Sequence, residues 1–69
     1  MFMSQIVLRV GDEALYRGPK LGEELRYSLN PETIVQVLEV AGDRVFVSRG
    51  SKNSGYPVFT VAIQQLEKR

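Results

Sequence analysis

No cysteine, histidine or tryptophan occurs in these 69 residues. Without cysteine there is no disulfide to staple the chain. Without cysteine and histidine together, the usual ligands of a structural zinc are missing. The same absences leave the commonest acid–base and thiol-nucleophile roles of enzymes unfilled, so a catalytic function is not expected. Long apolar runs are lacking too, and nothing approaches the roughly 20 residues of a membrane span. Met1–Val10 is short and poor in positive charge for a secretory leader. A cytoplasmic location without a membrane partner is therefore expected. An excess of one charge is also missing: nine Lys and Arg stand against eight Asp and Glu, for a net +1. That balance departs from the clearly basic surface of most nucleic-acid binders. No P-loop, GxGxxG or metal-ligand spacing occurs, and no cofactor is expected.

What is present is a 43% hydrophobic chain with 25% charged residues, a composition that folds. It makes one domain over residues 1–69, with 1–4 expected to be loosely held. A chain this short buries roughly 60% of its unfolded surface, and such a core rarely supplies more than about 3–5 kcal/mol. Stability must then come from apolar packing, from closure of a sheet, or from assembly.

Val37–Ser48 is the most informative stretch. Gly42-Asp43 fits a two-residue hairpin loop, with Gly at the first central position tolerating the positive φ of a type II′ turn. This loop sets Ala41 opposite Arg44, Val40 opposite Val45, Glu39 opposite Phe46 and Leu38 opposite Val47. Opposed residues share a face. Leu38, Val40, Val45 and Val47 then form an apolar core face. Val35, Val37, Glu39, Ala41, Arg44, Phe46 and Ser48 fall on the other side. Asn30-Pro31-Glu32 also reads as a helix start, with Gly42 as its stop. Against a helix, five of the eight residues Thr33–Val40 are β-branched and suit a pleated surface. The strand reading also accounts for both sides of the turn.

Elsewhere, Ile6–Val10 reads as a short strand with Ile6, Leu8 and Val10 on one face. Glu13–Arg17 reads as a second strand, stopped by Gly18-Pro19. Residues 17–31 form a long variable connection. At about 14 residues from Gly18 to Pro31 it exceeds the usual 4–6, and connections of that kind are often functional. Gly50–Gly55 is a polar loop whose amides suit a phosphate, although Ser, Asn and Gly are also ordinary turn residues. Tyr56–Val61 reads as the next strand, with Phe59 and Val61 on one face and Tyr56, Val58 and Thr60 on the other. Ala62–Leu66 suits a single helical turn, after which Leu66 returns to the core.

The order Val10-Gly11-Asp12-Glu13-Ala14-Leu15-Tyr16, then Thr33–Ser48, then Val58-Phe59-Thr60-Val61-Ala62-Ile63-Gln64-Gln65-Leu66-Glu67 resembles the SH3-like small barrels, the group that includes KOW and Tudor domains. The resemblance implies an all-β barrel of about five or six short strands with one helical turn before the last. It also places the 17–31 loop where such barrels often bind partners. The type II dihydrofolate reductases share this fold and assemble as oligomers around a Val-Gln-Ile-Tyr segment. Here the corresponding residues are Val58-Phe59-Thr60-Val61. The Gln and Tyr are absent, so a small-molecule-binding oligomer of that type ranks third among the functions considered.

The first expectation is a non-catalytic interaction module, binding a protein partner through Tyr16, Leu25, Tyr27, Phe46 and Tyr56. Self-association would use Val35, Val37 and Phe46, an apolar set opposite the core. The alternative is a KOW- or Tudor-like nucleic-acid module using Arg44, Phe46, Arg49 and Lys52, an aromatic platform among cations. The acidic pairs Asp12-Glu13 and Glu23-Glu24 fit a solvated surface, because neighbours on a strand point to opposite faces.

Overall fold

A computed structural model describes residues 7–22, 28–50 and 55–69. Among the described residues the chain is all-β. The strands are β1 (Glu13–Tyr16), β2 (Thr33–Ala41), β3 (Arg44–Ser48), β4 (Val58–Ala62) and β5 (Leu66–Lys68). All neighbours are antiparallel, in the order β4-β3-β2-β1-β5. A 3₁₀ turn at Ile63–Gln65 separates the last two strands.

That turn forces the sheet to curl. Strands lie about 4.8 Å apart, so the edges of a flat five-stranded sheet are about 19 Å apart. The chain passes from the end of β4 at one edge to the start of β5 at the other in three residues of 3₁₀ turn. At about 2 Å per residue the turn covers less than half of that distance, so the edges approach each other at this end. Two hydrogen bonds hold the crossing. The Ile63 amide donates to the Asp43 carbonyl at 2.9 Å, and the Arg17 amide donates to the Gln65 carbonyl at 2.7 Å. The Gln65 side chain also accepts from the Ala62 amide at 3.1 Å.

The hairpin between β2 and β3 has the expected turn. Gly42 has φ 65°, while Asp43 is not in the positive-φ region, as a II′ loop requires. Ala41 opposes Arg44, Val40 opposes Val45 and Glu39 opposes Phe46. Beyond that point the structure departs from the simple register. An irregularity between Val37 and Glu39 places Val37, not Leu38, opposite Val47. Leu38 is the extra residue of a β-bulge, and an odd insertion exchanges the two faces of a strand. Val35 and Val37 therefore turn inward, each only 1% exposed, and Leu38 is half-buried outside the core. This overturns the expectation that Val35 and Val37 line the face opposite the core.

The core consists of Leu8, Ala14, Tyr16, Leu29, Val35, Val37, Val45, Val47, Val61 and Leu66, with Leu21, Val40, Phe59 and Ile63 packed against it. Cross-strand partners explain its order: Ala14 opposes Val35, Tyr16 opposes Leu66, and Val45 opposes Val61. The expected strand at Ile6–Val10 is not found among its described residues 7–10. Leu8 is buried there while Val10 is 69% exposed, so the two do not share a strand face. Instead Arg9–Asp12 turns. The Asp12 amide donates to the Arg9 carbonyl, and the Asp12 carboxylate accepts from the Arg9 amide. Gly11 and Asp12 then bond the backbone of Val37 from the β1 side. The long connection after β1 pairs with itself, Leu21 and Leu29 exchanging both backbone hydrogen bonds.

Glu32 carries φ 65° directly before β2. Following Pro31, it occupies the turn position that normally takes glycine, and a side chain there costs about 1–2 kcal/mol. Glu32→Gly is expected to raise stability by about 0.5–1 kcal/mol, since the relieved strain exceeds the entropy glycine adds to the unfolded chain. Val37→Ala is expected to lower it by about 2 kcal/mol, through lost methyl burial plus a small cavity. Urea unfolding midpoints measure both, and a Val37→Ala change under 0.5 kcal/mol would contradict the bulged register.

Candidate interaction surface

The residues anticipated as contacts divide into three groups. Tyr16 is fully buried, because Leu66 and Thr33 oppose it on either side in the sheet. Its hydroxyl donates to the Pro19 carbonyl. Gly18 allows this approach: a Cβ at that position would lie 2.6 Å from the Tyr16 hydroxyl and 2.8 Å from the Gln65 amide nitrogen. Tyr16 is thus a core residue with a satisfied polar tip rather than a surface contact. Leu25, Tyr27 and Lys52 lie outside the described residues, as do Glu23-Glu24 and most of the Gly50–Gly55 loop.

The second group gathers around Arg49. Arg49, just past β3, donates to the Ser28 carbonyl at 3.2 Å. Its guanidinium also lies over the Tyr56 ring at 5.3 Å from the centroid. A cation over an aromatic face at this distance is worth about 0.5–1 kcal/mol when exposed. Arg49 therefore ties the end of the 17–31 connection to the approach of β4. Tyr56 stays 42% exposed beneath that guanidinium.

The third group lies on the outer face of β2, β3 and β4. Strand alternation and register put Glu39, Ala41, Arg44, Phe46, Thr60 and Ala62 on this face, with Val58 next to Ser48 at its end. Phe46 is half-buried and sits between Glu39 and Thr60. The bulge adds Leu38 beside it. Val58 is 54% exposed and lies two residues beyond the exposed Tyr56. Ser48 is buried, its hydroxyl accepting from the Gly50 amide. Glu39 and Arg44 are both exposed. The ion pairs among the described residues, Arg17–Glu67 at 2.7 Å and Asp12–Lys68 at 3.8 Å, involve neither of them.

Val58 and Glu39 were not anticipated as surface residues of interest. Val58 was legible, since alternation sets it opposite the inward Phe59 and Val61. Leu38 was not, because its place depends on the bulge. Of the nucleic-acid set, Arg44 and Phe46 share the outer face, whereas Arg49 is engaged with Ser28 and Tyr56. No helix among the described residues is long and apolar enough to cross a membrane. Comparison with protein-family models, curated proteins and solved structures finds no match for this chain.

Burial pushes the Tyr16 phenol above its ordinary value of 10.0 by penalising the phenolate. A raised pKa means the folded state holds the proton more tightly than the unfolded state. The associated stability is complete below pH 10 and is lost as the pH rises through the folded value. The wild type is therefore expected to lose stability more steeply than Tyr16→Phe, which cannot ionise there, as the pH rises through and above 10. At pH 7 the variant should be weaker by about 1 kcal/mol through the lost bond to Pro19. Parallel pH profiles in urea unfolding would contradict the burial of this hydroxyl.

Proposed function

We propose that this domain is a non-catalytic interaction module that binds protein through the outer face of β2, β3 and β4. The observation that carries the reading is that Phe46 and the exposed Val58 share this outer face, with the half-buried Leu38 left outside the core by the bulge and the exposed Tyr56 two residues before Val58. Aromatic residues framed by polar ones suit a protein contact, because a large area is buried with few torsions to immobilise. The SH3-like assignment belongs to this proposal; five strands with one helical turn before the last agree with it. The absence of His and Cys supports a binding rather than a catalytic role. A nucleic-acid ligand fits the face less well. Arg44 is accompanied by Glu39, and a surface of mixed sign gains little from releasing the counterions of a phosphate backbone.

Replacing Val58 with the photo-crosslinker p-benzoylphenylalanine in the cells that make the protein tests this. Discrete protein adducts are expected at position 58, and none from the same probe at Glu67. Adding Phe46→Asp should remove the adducts while circular dichroism shows the fold retained. Absence of any adduct at position 58 contradicts the reading, as does an equal yield from both positions.

A further inference from the structure

Resting on that reading, we infer that the occupant of this face is a second copy of the same chain, packed in a two-fold dimer whose sheets cross near a right angle. The register supplies the argument. On the outer face, Phe46 has Glu39 one strand away on β2, about 4.8 Å across. Arg44 lies two residues along β3 toward the hairpin turn, about 6.8 Å away. Ala41 and Val58 occupy opposite corners of the patch, on the diagonal through Phe46.

A two-fold axis between facing sheets lies in their common plane, and an isologous contact must satisfy itself under that rotation. Four simple directions are available, and they differ in what meets the charges. An axis along the strands sets Glu39 against the partner's Thr60. An axis across the strands sets Arg44 against the partner's Ser48. The diagonal that avoids Ala41 and Val58 sets Glu39 against the partner's Ser48 and Arg44 against the partner's Thr60. The remaining diagonal, running from Ala41 through Phe46 to Val58, exchanges the cross-strand and along-strand directions. It places Glu39 over the partner's Arg44 and Arg44 over the partner's Glu39. The mismatch between the two spacings is about 2 Å, within the reach of these long side chains.

On the same axis Phe46, Val58 and Ala41 each meet their own copies. An apolar diagonal is then flanked on both sides by an ion pair that the single chain leaves unmade. Crossed packing of this kind is one of the two common geometries for facing sheets. The patch is small against the roughly 800 Å² per partner of a standard interface, so the dimer is weak and reversible.

Sedimentation equilibrium of the full chain from about 5 µM to about 1 mM reads this out, over a range suited to an interface below standard size. A monomer is expected at the bottom of the range and a dimer at the top. Glu39→Arg and Arg44→Glu should each weaken the homodimer at least tenfold by opposing like charges. Mixing the two variants should restore association, because the mixed pair regains both ion pairs. Both positions are exposed, so the fold should persist, and circular dichroism checks this. A monomer at 1 mM overturns the proposal, and so does a dimer that neither substitution weakens. The crosslinker at position 58 separates this failure from that of the broader reading. Adducts at twice the chain mass mark self-association, while adducts only at other masses refute the dimer and leave protein binding standing.

Discussion

The unpaired residue at Leu38 governs which side chains β2 buries. This strand serves both halves of the sheet. Residues 33–36 pair with β1, and residues 36–41 pair with β3. A strand shared in this way must bend where the sheet turns over itself, and a bulge supplies the bend together with extra twist. Because the insertion is a single residue, inward-facing positions change parity across it. Val35 and Val37 point inward on one side and Val40 on the other, with Leu38 and Glu39 left outside in sequence. The core of a domain this small depends on that exchange. Without it two of the ten buried apolar side chains among the described residues would face water.

Closure at the opposite end follows a similar economy. Three residues carry the chain from one edge of the sheet to the other, so β5 pairs with β1 only if the sheet is curled. Gln65 is central there. Its carbonyl accepts from Arg17, its side chain caps the turn, and its amide nitrogen sits close to Gly18. Tyr16 ends β1 beneath the same point and uses its hydroxyl on Pro19, which satisfies the one polar atom of a side chain otherwise committed to the core. An aromatic residue that looked like a ligand contact thus helps to fix the start of the long connection.

The bulge also shapes the outer face of β2, β3 and β4, where the proposed contact lies. The bulge that removes Val35 and Val37 from this surface also brings Leu38 to it. The same pairing sets Glu39 and Arg44 around Phe46. A chain of this length with no disulfide has little stability to spare, and association of folded copies would add to it by mass action.

Much of this was legible in the residues. The Gly42-Asp43 loop, the inward alternation of Val45 and Val47 and of Phe59 and Val61, the helical turn before Leu66, and the strand rather than helix at 33–41 all follow from local chemistry. Turn geometry and β-branching act over two to five residues and need no distant partner. The odd step from Val37 to Val40 in the run of inward valines was a visible trace of the bulge, but reading it required knowing that all three face the core. Burial of Tyr16, the exposed turn in place of a strand at 7–10, and the engagement of Arg49 by Ser28 and Tyr56 depend on residues far away in the chain. They were decided by tertiary structure alone, because a side chain's face is set by which strands oppose it, and the alternation of a single strand names two faces without saying which of them meets the core.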